Sequence, residues 1–445
     1  MKYIGYLFVL FLFPSLGITQ ETLSARDAVL LALEHNYSLQ IAENRVDIAE
    51  KNNSWSEAGL FPTVTLNAGA NFALQDNSNN PISFVQESII NQNFNPSVNV
   101  NWNLFTGLGI KITKERLALL EQQSNGNLMA EIENIALEVL KAYNSILLEE
   151  QKLKVYQSVL KYSREQYEYY QLKEEYGQSS SLETFQFRNQ LFADSVTVIQ
   201  QEVNIKNAKR NLLVLMNVKD AMSLEQFPSL TDSLSTPMSA IDRQEVLSNL
   251  NSNNQNLRNQ FLAIELQKKM IDYQRSFLYP VVSLQAAASP SWGNVRFAGS
   301  PDQSIGTQSI VYSTGLNVRY NLFNNYKTKR AVEVAKIEAE ISEMTYDQMQ
   351  IQVENNILQL FDAYYVQNQL VDLNEQSMLY AEKAYELGKA KYAQGLINSL
   401  ELQNLRNNFL NAALSYNDAL FNRMTVYLDI YKISGQLQLS YSNEN

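Results

Sequence analysis

Few side chains in this sequence could do chemistry, and their spacing points to helix ends, not a reaction centre. There is one histidine, His35, directly after Glu34, and no cysteine. That excludes thiol catalysis, a disulfide scaffold and most metal clusters. No glycine-rich phosphate loop, His/Glu metal motif or nucleophile elbow occurs, so no enzyme, cofactor or metal site is expected, and His35 reads as a surface or helix-edge residue. Two glutamates stand in matching contexts: Gly177 precedes Ser180 and Glu183, and Gly395 precedes Asn398 and Glu401. Ser-x-x-Glu and Asn-x-x-Glu resemble capping boxes, in which the Glu closes back on the start of a helix.

The contexts match because the chain is duplicated. Adding 218 to a position carries Asn36 to Asn254, Pro62 to Pro280, Asn103-Leu104-Phe105 to Asn321-Leu322-Phe323, Gly177 to Gly395, Ser181-Leu182-Glu183 to Ser399-Leu400-Glu401, and Arg188 to Arg406. One offset over that span marks an internal repeat. The pair Ala142-Tyr143 and Ala363-Tyr364 is shifted by 221 instead, which implies small compensating length changes within the helices. Each half reads as helix, strand, loop, strand, long helix, turn and return helix.

Proline is absent from 97–227 and from 302 onward, and glycine is sparse there, so both spans read as long helices. Ile132, Ile135, Val139, Ala142, Ile146, Leu153, Tyr156 and Leu160 recur at steps of three and four, with Glu149 as one polar intruder. Val334, Ile337, Ile341, Met344 and Ile351 repeat that coiled-coil seam in the second half. A second row, Met349, Val353, Ile357, Leu360 and Tyr364, implies neighbours on two flanks. A helix from near Tyr326 to near Tyr392 would be roughly 100 Å long. The opening helix is expected from Ser24 to about Ala58.

The strands alternate. In Pro96–Phe105, Val98, Val100, Trp102 and Leu104 interleave with Ser97, Asn99, Asn101 and Asn103; Thr314–Phe323, 63–74 and the residues after Pro280 repeat the pattern. One apolar and one polar face over about ten residues is how a membrane barrel strand reads. Phe61, Phe105, Tyr279 and Phe323 stand at the helix-side ends of the four strands, where an interfacial aromatic girdle or ordinary packing would place them. The polar stretches 75–95 and 290–310 are expected as loops. The chain carries a formal net charge of −11, and the acidity argues against nucleic acid. The opening twenty residues read as a secretory signal, and no later window is apolar enough for a spanning helix.

The expected organisation is a signal peptide over 1–19, a first repeat over 20–227 with strands near 62–74 and 96–105, and a linker over 228–238. A second repeat follows over 239–435, with strands near 280–289 and 312–323, and a polar tail over 436–445. Four strands leave two open edges, which lipid does not tolerate. Two chains would supply eight strands and a filled interior, whereas three would supply twelve and room for a pore. Asn99, Asn101, Asn103, Asn317, Arg319 and Asn321 suit a wet interior. A periplasmic coiled-coil scaffold is the alternative of a different class, but it gives no reason for alternating strands.

Two tandem copies of helix, strand pair, very long helix and return helix resemble the TolC-like outer membrane efflux proteins over about residues 22–435. The most specific local feature is Lys391-Tyr392-Ala393-Gln394-Gly395 followed by Ser399-Leu400-Glu401. The resemblance implies an α+β membrane protein in which four transmembrane strands per chain join a homotrimeric, twelve-stranded barrel in the outer membrane. It also implies a long helical barrel in the periplasm. The expected function is the exit duct of a tripartite efflux system, served by a periplasmic adaptor and an inner-membrane transporter; the exit duct of type I protein secretion is the alternative. Aligned on Gly395, the family's acidic ring falls on Glu401, with Asn404 one turn later where a second acid is usual. Tyr392 matches a gate-linking tyrosine, and Glu183 and Gln186 hold the corresponding places in the first half. Ile397 stands where the best-known members have an arginine, so that salt-bridged link does not carry over.

Overall fold

The computed structural model of the protein describes residues 22–217, 227–234, 241–297 and 299–437. The expected signal segment lies outside these, as do 235–238 of the linker and 438–445 of the tail. In chain order the elements are β1 (Thr22–Leu23), α1 (Ala25–His35), α2 (Tyr37–Asn52), β2 (Thr63–Asp76), β3 (Ser88–Thr106), α3 (Gly109–Glu175) and α4 (Ser181–Met216), then β4 (Ser229–Leu230), α5 (Arg243–Asn253), α6 (Gln255–Ser276), β5 (Val281–Phe297), β6 (Ser300–Arg319), α7 (Lys327–Ala393) and α8 (Ser399–Ile433).

The duplication is built into the backbone. α5 starts and ends 218 residues after α1, α7 does so after α3, and α6 and α8 start 218 after α2 and α4. All but one of the left-handed residues obey the same offset: Gly107 and Leu108 match Asn325 and Tyr326, Gly177 matches Gly395, and Asn217 matches Gly435, whereas Gly59 corresponds to right-handed Phe277. Because α3 and α7 both span 67 residues in register, the compensating length changes implied by the shifted Ala-Tyr pair do not occur. The true counterpart of Tyr143 is Phe361, and both are buried.

The chain forms two compact units, and the long helices contribute residues to both. Among the described residues, the first comprises 22–39, 132–217, 227–234, 241–249 and 355–437. Its core holds Val139, Tyr143, Ile146, Leu212, Met216, Ile357 and Ile430. β1 pairs in parallel with β4, and the Tyr143 hydroxyl fastens that pairing, reaching Asp232 Oδ2 at 2.8 Å and the Leu23 carbonyl at 2.9 Å. Lys141 and Lys152 of α3 pair with Asp429 and Asp418 of α8 at 2.6 and 2.8 Å.

The second unit comprises residues 40–131 and 250–354. It contains one antiparallel sheet in the order β2-β3-β5-β6, so β2 and β6 are both free edges. Lys269 of α6 joins Glu115 of α3 at 2.6 Å.

Three expectations need correction. The opening helix is not continuous: Asn36 is extended (φ −68°, ψ 127°) and its side chain accepts from the Ser38 N–H at 2.8 Å. Asn254, its counterpart, breaks the second repeat in the same way and caps α6 through Leu257 N–H at 3.1 Å. Side-chain carbonyls that satisfy their own neighbours compete with helical hydrogen bonds. The stretch 290–310, read as a loop, is largely strand, and 75–95 keeps a loop only over 77–87, since β2 runs to Asp76, β3 begins at Ser88, β5 continues to Phe297 and β6 begins at Ser300. The chain stays extended through Pro96 and Pro290 because they face each other between the rungs Phe94↔Trp292 and Val98↔Ala288, where the β3–β5 ladder makes no pair. A missing N–H is tolerated at such a gap. Finally, β6 ends at Arg319, not 323, so Asn321 and Phe323 lie in the junction before α7.

Candidate functional site

The register sorts the sheet into two faces. On one, Leu66↔Val98, Val64↔Val100, Val100↔Ala286, Trp102↔Leu284, Leu284↔Leu316 and Val282↔Val318 line up across the strands. On the other, Thr65↔Asn99, Asn101↔Gln285, Asn103↔Ser283 and Ser283↔Asn317 form rows of amides and hydroxyls. The only ionisable residue in these polar rows is Arg319, at the helix-side end. The register slips between Asn103 and Phe105 on β3 and again between Arg296 and Phe297 on β5, and the Trp102 indole N–H donates to the Leu60 carbonyl at 2.7 Å. Leu66, Trp102, Leu316 and Val318 are exposed in the single chain, as a sheet that faces lipid would be.

The turns between the long helices are the second feature. Gly177 and Gly395 have φ of 69° and 74°, and no atom lies near where a Cβ would be; conformation alone calls for glycine there. Gln178 N–H donates to Lys173 O at 2.7 Å and Leu396 N–H to Lys391 O at 3.0 Å, which closes both helices as Schellman motifs. The following caps differ. Asn398 Oδ1 accepts from Glu401 N–H at 2.9 Å and Glu401 Oε2 accepts from Asn398 N–H at 3.2 Å, a complete capping box. In the first repeat Ser180 Oγ accepts from Glu183 N–H at 3.4 Å, but the Glu183 carboxylate accepts from Ser179 Oγ at 2.8 Å. Glu401 and Asn404 are exposed one turn apart, as is Gln186, while Glu183 is half-buried. Tyr392 packs within its own chain, its ring 5.9 Å from that of Tyr170 and 6.2 Å from that of Phe187. Burial first, then a hydrogen bond with Tyr170, pushes its phenol above the ordinary value.

A third cluster was not singled out from the sequence. Asp194 of α4 accepts from Arg406 Nη1 at 2.7 Å, from Ser163 Oγ at 2.5 Å and from Gln190 Nε2 at 2.9 Å. Arg406 is only 8% exposed, so this ion pair fastens α4 to α8 away from solvent. Nearby, Lys389 stands 5.1 Å from both the Tyr162 and Tyr385 rings. The signal was present as opposite charges in two seams: Asp194 precedes Val198, Gln201 and Ile205 on the buried face of α4, and Arg406 follows Leu402 on α8. His35 sits at the end of α1, where its carbonyl accepts from Asn217 Nδ2 at 2.8 Å. Among the described residues no group of three or more His, Asp or Glu could hold a metal, and no helix is long and apolar enough to cross a membrane.

A duplicated chain whose sheet has one predominantly apolar face near its helix-side end, with helices of 67 residues after the strand pairs, defines a membrane channel class. The profile of the family "Outer membrane efflux protein" matches residues 29–218 and 246–436, and the chain belongs to that family. Its fold is similar to that of the Campylobacter jejuni CmeC outer membrane channel, with 16% identity over 93% of this chain and 85% of that one and a TM-score of 0.77. The Neisseria gonorrhoeae MtrE outer membrane channel, in its open state, has 18% identity over 93% and 89%, with a TM-score of 0.69. The Vibrio cholerae outer membrane protein VceC has 14% identity over 92% and 96%, with a TM-score of 0.70. No curated protein gave a significant sequence match. The protein is therefore an outer membrane efflux channel with a periplasmic helical part, not an enzyme, which leaves no place for the soluble scaffold.

Proposed function

We propose that three copies of the chain close their sheets edge to edge into a twelve-stranded barrel, polar rows inward. In this reading the helices continue as the periplasmic exit duct of a tripartite system fed by an adaptor and an inner-membrane transporter. The observation that carries this is the pair of free edges, β2 and β6, on a sheet with one apolar face. Lipid tolerates neither a free edge nor an unpaired backbone group, and twelve strands leave a bore where eight would be filled.

The helices support the same reading. On α7, Ile357 is fully buried, whereas the other predicted seam, Val334, Ile337, Ile341, Met344 and Ile351, is exposed. α4 exposes Phe185, Phe192, Val196, Ile199 and Val203 at similar spacing. Apolar stripes at coiled-coil spacing call for partner helices.

At the tips, Glu401 and Glu183 belong to an acidic ring at the mouth of the duct, with Asn404 and Gln186 one turn further on and Tyr392 holding the adjoining helices. Exposure of Glu401 and Asn404 on one helix face supports that role, and capping does not exclude it. Planar-bilayer recording tests both parts. The full chain should give discrete openings, and Glu401→Ala should lower cation preference or block by divalent cations. Absence of any conductance would contradict the duct, and unchanged selectivity would leave Glu401 as a cap alone.

A further inference from the structure

The junction between β6 and α7 breaks the charge pattern of the chain. No acidic residue occurs between Asp302 and Glu333, yet Arg319, Lys327, Lys329 and Arg330 fall within that stretch of a chain whose formal net charge is −11. Arg319 belongs to the polar face of the sheet. The other three occupy the opening turn of α7, where the helix dipole is positive and cations are unfavourable. No acidic residue accompanies them in that turn. All three are exposed and make no ion pair among the described residues, so helix stability does not explain them.

Exposed apolar residues beside them follow on in sequence from the apolar face of the sheet. Leu316 and Val318 end that face, and Leu322, 89% exposed, follows with exposed Phe323 and Tyr326. The last two rings meet edge to face at 5.4 Å. The first repeat lacks this arrangement: Gly109, Lys111 and Ile112 stand at the equivalent positions, and the single cation approaches Glu115 at 4.0 Å.

We infer that the start of α7 is a docking surface for anionic phospholipid headgroups of the periplasmic leaflet. Lys327, Lys329 and Arg330 supply the charge, and Leu322, Phe323 and Tyr326 supply contact with the upper acyl chains. Basic heads that reach the headgroup level from an apolar base, with aromatic rings at the same depth, suit a negatively charged membrane surface. The inference rests on the apolar sheet face meeting lipid.

Native mass spectrometry of the delipidated full chain in mild detergent tests it, with phosphatidylglycerol or phosphatidylcholine added in equal amounts at low salt. Phosphatidylglycerol should be retained over phosphatidylcholine by on the order of tenfold, given three exposed cations at a headgroup surface. Raising the salt should shrink that ratio in the unsubstituted protein, because exposed charges are screened. A Lys327→Gln/Lys329→Gln/Arg330→Gln variant should lose the preference, and Lys327→Arg/Lys329→Arg/Arg330→Lys should keep it. Equal retention by the unsubstituted protein, or a preference that survives the triple glutamine variant, would overturn the inference while leaving the barrel standing. Retention of neither phospholipid would overturn both.

Discussion

The two repeats share a backbone and differ in what their side chains meet. Equivalent residues adopt the same helix breaks and the same left-handed turns, yet Glu133 is buried where its counterpart Ile351 is exposed. Arg406 is buried against Asp194, whereas its counterpart Arg188 lies over the Phe192 ring at 5.5 Å. The exposed α7 stripe is also mostly polar in the first repeat: Val334, Ile341, Met344 and Ile351 correspond to Arg116, Gln123, Gly126 and Glu133, and only Ile337 has an apolar counterpart, Leu119. Duplication fixed the architecture, and divergence then made one repeat apolar where the other is polar. Such asymmetry suits a head-to-tail ring, in which unlike surfaces meet at every interface.

The contrast between Arg406 and Arg188 is the strongest place to break it. Arg406→Ala should destabilise the detergent-solubilised protein by about 3 kcal/mol, because it leaves the Asp194 charge buried without a counter-charge, held only by Ser163 and Gln190. Arg188→Ala should cost no more than about 1 kcal/mol, and equal losses in chemical denaturation would erase the distinction. Glu133 offers a pH-dependent version. Burial, partly offset by Lys432, pushes its carboxyl up to about 7 from an ordinary 4.5. The fold thus favours the neutral form: its contribution is fully present below pH 4.5 and is lost as pH rises through about 7, on the order of 3 kcal/mol. Melting curves across that window should flatten in Glu133→Gln.

Where the repeats agree, substitutions should agree too. Gly177→Ala and Gly395→Ala should each cost about 1–2 kcal/mol, because an L side chain is strained at φ near 70°. A large difference between them would mean that the two turns are not equivalent. The smallest contrast lies at the caps, where Asn398→Ala should cost about 1 kcal/mol. Ser180→Ala should cost less, since its box is open and its bond to Glu183 N–H is 3.4 Å; thermal melts of the two variants compare them.

Much of this was legible in the sequence. The offset of 218 located the turns at Gly177 and Gly395, and alternation located all four strands. Strand lengths were underestimated because Asn91, Asn93, Asn95 and Ser291 look like loop residues, yet a wall that faces water on one side uses such residues within its strands. Proline at 96 and 290 reinforced the error, since only the register reveals that the two share an unpaired gap. Asp194 and Arg406 stand 212 positions apart, so periodicity could mark each as a seam intruder without pairing them. The break at Asn36 lay hidden in an apolar pattern that continues on both sides of it.

The central claim is that the two free sheet edges are completed by sister chains, three to a ring. Sedimentation of the full-length protein in detergent, corrected for bound detergent, tests it most directly against the 50.8 kDa chain. A particle holding three chains is the predicted result. A stable single chain, or a closed pair, would contradict it.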